Sequence, residues 1–251
     1  MIKFLFSIFF SCILLTAQSQ DINLLLKEAD NLEKQQKEPE AMEKYKQLLL
    51  LQPVNTKALV KAAELNVMFA NKQTGKNAKR LYVETALAYA NRAILADSNN
   101  ADANYAMSMA SGKMTDVETE NKKIVAYMKD VKRYADKALS INPNHAKANY
   151  ILGKWHYGMI TLSGLKKIAV KLFYGGLPDW DIEKAIQYME KCKSLEPYFV
   201  TNYLYLALAY KENRKPAQAI EVLNKLVKLP TRTTDDVTTK AEGARLLESM
   251  Q

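Results

Sequence analysis

The sequence predicts an all-α protein built as a helical-repeat solenoid, an α-α superhelix, with an inserted amphipathic helix and a C-terminal capping helix. Three observations predict it. Gly and Pro number only 8 and 7 while 48% of residues are hydrophobic, so there is a core to bury and few turn residues to interrupt it. Ala, Leu, Lys and Glu dominate, and these side chains lose little freedom in a helix. The chain also repeats itself. Ala101-Asp102-Ala103-Asn104-Tyr105 returns as Ala146-Lys147-Ala148-Asn149-Tyr150, 45 residues later and identical at four of five positions. Self-similarity at a fixed period marks stacked units.

The N-terminus stands outside this scheme. Residues 1–19 read as a secretory signal peptide: Lys3 gives the positive start, Phe4 to Ala17 the apolar stretch, and Ala17-Gln18-Ser19 the small residues of a cleavage site after Ser19. Cleavage after Ala17 is the second choice. The apolar stretch is about 14 residues, against about 20 for a membrane-spanning helix, so a retained anchor is the alternative reading. Lipidation at Cys12 is a third, opposed by the apolar run that continues through Leu15. Residues 20–251 then form a single domain. The formal charge is +9, and removing Lys3 with the leader leaves +8. A basic chain favours acidic partners, and export argues against nucleic acid. The mature chain keeps one cysteine, Cys192, so no internal disulfide is available.

The repeat can be followed position by position. The same offset aligns Ala58 with Ala103 and Ala148, Ala41 with Ala86 and Val131, and Tyr45 with Ala90 and Ala135. It also aligns Leu48 with Ala93 and Ala138, and Pro53 with Ser98 and Pro143. Steps of four and three residues keep these side chains on one helix face, where small groups let a neighbouring helix approach. A proline five residues on cannot continue the helix and marks the turn. Ala185, Met189, Cys192 and Pro197 repeat the spacing, as do Ala219, Leu223 and Leu226 with Pro230 one residue early. Leu152-Gly153 and His156 parallel Leu206-Ala207 and Tyr210. Thr115 and Glu118 have capping-box spacing and predict a helix start there. Thr233 or Thr234 predicts the start of a C-terminal helix through Leu247, the polar-faced end a solenoid needs.

These residues resemble the tetratricopeptide repeat family, whose Leu-Gly-x-x-Tyr, Ala-x-x-x-Phe-x-x-Ala and terminal Pro pattern they follow from about Leu24 to Leu229. Trp is missing from the usual early position, and His156 replaces Tyr. A narrower resemblance runs from about Asp102 to Pro230. Ala138 to Pro143, Leu152-Gly153-Lys154-Trp155, Leu162-Ser163 and Ala185 to Pro197 resemble the regulator of microtubule dynamics family. That resemblance implies a non-enzymatic, partner-binding domain with a long insertion after the Leu-Gly-x-Trp helix, here residues 158–180. In eukaryotic members it also implies a microtubule or organelle-surface role, which does not fit an exported chain.

Within the insertion, Leu162, Leu165, Ile168, Ala169, Leu172 and Phe173 recur at three- and four-residue spacing, with Lys166, Lys167 and Lys171 largely on the other face. Gly175-Gly176 ends this helix, and Asp179 or Asp181 caps the next. One reading packs the helix on the solenoid with solvated lysines. The other makes it a lid over the groove, or a contact with an anionic surface.

In such solenoids the first helix of each unit lines the concave face. Counting from the small residue of each first helix, the positions predicted to face the groove are Tyr105, Met109, Tyr150, Lys154, Tyr157, Leu204, Leu208 and Lys211. Aromatic and apolar groups beside lysines suit a polypeptide segment, one ending in a carboxylate included. An amphiphile such as a lipid is the alternative ligand, and an anchored adaptor the further one. Met107 is a core position. No cofactor and no enzyme activity are expected: there are only two histidines, and the sequence contains no Cys-x-x-Cys, His-Glu-x-x-His or Gly-x-Ser-x-Gly motif. His156 takes a core position, and Cys192 a small-residue core position.

Overall fold

The computed structural model describes residues 22–176 and 178–251, except the side chain of Leu165. The expected signal peptide, residues 1–19, and Cys12 lie outside the described residues, as do the Leu165 side chain and Leu177. Among the described residues there are twelve helices and no strand. They are α1 (residues 22–34), α2 (Glu38–Leu51), α3 (Thr56–Asn71), α4 (Lys76–Ala96), α5 (Ala101–Val117), α6 (Asn121–Ile141), α7 (Ala146–Ile160), α8 (Gly164–Tyr174), α9 (Ile182–Leu195), α10 (Val200–Glu212), α11 (Pro216–Lys228) and α12 (Thr234–Glu248). No helix among them is long and apolar enough to cross a membrane.

Each unit is an antiparallel helix pair, and α1, α3, α5, α7, α10 and α12 are the first helices. The 45-residue echo has a local cause. Asn55 and Asn100 cap α3 and α5 by accepting the amides of Ala58 and Ala103, and His145 Nδ1 accepts that of Ala148 at the same place in α7. One turn on, buried Asn104 and Asn149 donate back to the carbonyls of Ser98 and Pro143 in the preceding turns. These bonds satisfy groups that a helix end leaves unpaired.

Packing follows the small residues. Ala58, Ala103, Ala148, Ala86, Ala90, Ala93, Ala135, Ala138 and Ala185 are fully buried. Backbone comes close at Gly153, where an added Cβ would lie 2.7 Å from Met189 Cγ and 2.9 Å from the Ala185 carbonyl oxygen. Cys192 is buried beside Tyr150 and Trp155, and burial pushes its thiol up to about 12. Its reaction with a thiol reagent at pH 8 is therefore expected to follow unfolding. Labelling as fast as a small-molecule thiol in the native state would contradict the packing.

Two findings concern the ends of helices, and the first is a correction. Thr115 and Glu118 do not open α6. The apolar stripe Ala110, Met114 and Val117 continues α5 into contact with Val83, so Thr115 lies inside α5 and donates to the Gly112 carbonyl. Glu118 instead accepts the amides of Thr119 and Glu120, which hold its carboxyl down at about 2. At the C-terminal end Thr233 is the cap of α12, in a capping box with Asp236.

Successive first helices touch each other, α3 to α5, α5 to α7, α7 to α10 and α10 to α12, whereas second helices pack on first helices. The stack therefore curves toward the first-helix side. Curvature brings the C-terminal end back to the N-terminal units. Asn71 Nδ2 donates to Asp235 at 2.7 Å, and Gln36 Nε2 to the Thr231 carbonyl at 3.3 Å. The insertion helix α8 lies elsewhere, against the second helix α6. Of the two readings of this helix, it packs on the solenoid and does not roof the first-helix face.

Candidate functional site

The first-helix face carries two clusters of charge. In the first, a cleft of about 460 Å³ runs between α3, α5 and α7 and is bordered by Lys57, Lys61, Glu64, Asp102, Tyr105, His145 and Lys147. Glu64 bridges Lys147 at 2.6 Å and Lys61 at 3.2 Å, and the Tyr105 hydroxyl donates to it at 3.0 Å. Burial pushes the Glu64 carboxyl up, but the charges of Lys147 and Lys61 pull harder and hold it at about 2. Lys147 is correspondingly raised: its own burial is outweighed by Glu64. His145 Nδ1 accepts an amide proton, so Nε2–H faces Asp102, 3.0 Å away. Charges here are matched within the protein, and the cluster ties three units together.

The second cluster lies where α5, α7 and α10 meet. Lys154 Nζ sits 4.5 Å above the Tyr205 ring, and the Tyr205 ring is 6.2 Å from that of Tyr157 and 5.9 Å from that of Tyr150. Among the described residues no carboxylate lies within ion-pair distance of Lys154, whose ammonium lies over the tyrosine face. Lys113 donates to Asn71 Oδ1 at 2.8 Å and is 3.7 Å from Asp116. Burial lowers the pKa of Lys154, with Asp116 opposing weakly. Burial also lowers that of Lys113, and the Lys154 charge adds to it. Two cations held below their ordinary affinity for a proton gain from an incoming anion.

The predicted groove residues divide by position. Tyr105, Tyr150 and Leu204 stand three residues before the small residue of their helices, and all three are buried rather than exposed. The next unit covers the two tyrosines: the His145 ring lies 5.0 Å from Tyr105, and the Phe199 ring 5.0 Å from Tyr150. Leu204 is in the core with Leu223 and Leu226. Lys154, Tyr157, Met109 and Leu208 are part-exposed, and Lys211 is exposed. Of these, Lys154 and Tyr157 meet in the second cluster. Sequence reasoning missed Tyr205, Lys113 and Asn71. Tyr205 could have been found by stepping one residue past Leu204, the direction in which the concave face turns.

His156 is buried as expected. Its Nδ1 accepts the Asp181 amide, and the ring stacks on Tyr188 at 5.9 Å. Burial, then the nearby Lys132 charge, lowers its pKa. No group of three His, Cys, Asp or Glu side chains suited to a metal occurs among the described residues.

Comparison with known proteins agrees with this geometry. The family described as regulator of microtubule dynamics protein 1-3 matches residues 25–251. Regulator of microtubule dynamics protein 2 of Mus musculus is 27% identical over 100 residues, covering 39% of this chain and 24% of that protein. Regulator of microtubule dynamics protein 1 of Pongo abelii is 27% identical over 179 residues, covering 70% of this chain and 56% of that protein. The chain thus spans about a quarter of the length of the first and about half of the second. Among solved structures, a thermophilic TPR protein of Thermus thermophilus superposes with a TM-score of 0.64 at 14% identity, over 90% of this chain and 99% of that one. Pseudomonas aeruginosa pilF superposes with 0.52 at 12% identity, over 92% and 86%. The two superpositions speak for a tetratricopeptide-like solenoid, and the match over residues 25–251 for something narrower: the chain belongs to the regulator of microtubule dynamics protein 1-3 family.

Proposed function

We propose that the chain is a non-catalytic binding module that holds a polypeptide segment on its first-helix face, with an anionic group of that segment beside Lys154. The observation that carries this reading is a half-buried lysine with aromatic neighbours and no carboxylate partner among the described residues. Tyr157 and Tyr205 offer flat apolar surface to the segment, and Lys154 and Lys113 offer the charge. Met109, Leu208 and Lys211 extend the surface along the same face. The expected leader at residues 1–19 supports a place outside the cytoplasm, in a periplasm or cell envelope. The relatives' names support a microtubule-related role instead, which would require the leader to be retained as an anchor or absent from function.

The test is fluorescence anisotropy with fluorescent decapeptides of varied sequence, each with a free and an amidated C-terminus. Binding is expected to favour the free carboxylate and to weaken with salt. K154A is expected to weaken it at least tenfold, about the share of one charge-assisted hydrogen bond. K154A should leave stability nearly unchanged, because no ion pair is broken. Equal affinity of K154A and the parent chain for every peptide would sink the reading. So would native mass spectra showing a bound lipid that peptides do not displace.

A further inference from the structure

The insertion helix α8 is amphipathic in an unexpected sense, since Ile168, Leu172 and Phe173 of its apolar stripe face away from the protein. Among the described side chains, Val170, 1% exposed, and part-buried Tyr174 face the solenoid, and Lys129 on α6 lies 5.1 Å from the Tyr174 ring. Ile168 and Leu172, one turn apart, are 66% and 70% exposed, and Phe173 is 38% exposed. At 100° per residue, Ile168 and Leu172 stand opposite Val170. Lys171 borders the stripe beside Ile168, Lys167 lies farther round on the same side toward Tyr174, and Lys166 is exposed nearer the Val170 side. None of these three lysines pairs with a carboxylate among the described residues, and the sequence from Gly158 to Pro178 contains no acid at all.

We infer that α8 is an interfacial helix, and that its exposed Ile168–Leu172 stripe inserts at the surface of an anionic phospholipid bilayer with Lys166, Lys167 and Lys171 at the headgroups. Two exposed aliphatic side chains and part of a phenyl ring, on one protruding helix, make a ridge too small for a stable protein interface. A bilayer deforms around such a ridge and needs no matching groove. Lys171 beside the stripe, and Lys167 and Lys166 on long stems farther round the helix, have no carboxylate partner among the described residues and supply the complement to anionic headgroups. The joints suit the role as well: Gly164 starts the helix, and Gly175 and Gly176 end it with φ of 92° and 120°. Those left-handed values are cheap only for glycine, and nothing lies within 4 Å of a Cβ at any of the three.

The test compares the whole chain with its own variants, so that any contribution from residues 1–19 is common to all arms. Sedimentation with phosphatidylcholine vesicles is measured with and without phosphatidylserine, together with hydrogen exchange across residues 164–174. Binding to the anionic vesicles is expected to be at least tenfold tighter than to neutral ones, with exchange in α8 slowed only by the anionic ones. I168S/L172S and K166E/K171E are each expected to lose at least tenfold in binding while circular dichroism and the thermal midpoint stay unchanged, because these side chains touch no core. Binding that is the same for both vesicles and all variants would overturn the inference. Protection of α8 by an acidic peptide such as polyglutamate, without protection by anionic vesicles, would overturn it in favour of a protein partner.

Discussion

Replacing Gly153 by valine is expected to cost about 3 kcal/mol of unfolding free energy, the upper range of overpacking in a closed interface. The thermal midpoint would fall by roughly 6–12 °C for a chain of this size. The reason is where the crowding falls. Met189 Cγ, at 2.7 Å, can swing away, but the Ala185 carbonyl at 2.9 Å and the Met189 amide at 3.3 Å are backbone. A side chain at 153 therefore has to push α9 away from α7 along its length. Gly158, on the same helix, has nothing within 4 Å of an added Cβ. G158A should accordingly stabilise, by about 0.5–1 kcal/mol, because alanine loses less entropy in a helix. Urea unfolding of the two variants separates the explanations: equal losses would mean that backbone freedom, and not the α7–α9 approach, sets the role of Gly153.

The second large effect is electrostatic. E64Q keeps the shape of the side chain but leaves Lys61 and Lys147 facing each other without their shared anion. Removing one partner of a buried pair costs about 3–5 kcal/mol. The Lys147 and Lys61 side chains keep 32% and 28% exposure, so a loss of about 2–3 kcal/mol is expected here. The pH dependence is the sharper check. The Glu64 carboxyl titrates at about 2 when folded, below its ordinary 4.5. Its contribution is therefore fully present above about pH 4.5 and disappears as pH falls toward 2. Parent and E64Q stabilities should differ most near neutrality and converge in acid. A gap that stays constant from pH 7 to 3 would show that Glu64 acts by packing and not by charge.

The sequence revealed the helix pairs because small residues at helical spacing report the facing surface directly. It was less informative wherever a residue's surroundings come from another unit. Tyr105 and Tyr150 looked like groove residues when counted along their own helices, yet His145 and Phe199 from the next turn cover them. Glu64 and Lys147 are 83 positions apart, and no local pattern links them. Thr115 and Glu118 had the right spacing for a cap, but burial of Met114 and Val117 outweighed it and carried α5 past them. In α8 the apolar stripe was legible while its direction was not. A stripe conventionally points to the core, and here Val170 and Tyr174 face the solenoid while Ile168 and Leu172 face away. Lys154 and Tyr157 were found because they lie on the concave side of their own helix, where Tyr205 of the next unit meets them without burying them.

The hydrogen bonds from Asn71 to Asp235 and from Gln36 to Thr231 change how this chain should come apart. An open stack of repeats obeys nearest-neighbour energetics: terminal units fray first, and unfolding creeps inward. Joining the last helix to the third couples residues 164 positions apart in sequence, so neither end is a free terminus in the energetic sense. Cutting the seam, with Q36A, N71A and D235A together, converts a ring back into a row. Amide exchange in α1, α11 and α12, uniformly slow while the seam holds, would then grade from the ends toward the middle. The closed arrangement also delays its own assembly, because the seam can form only after a long loop of chain has been ordered.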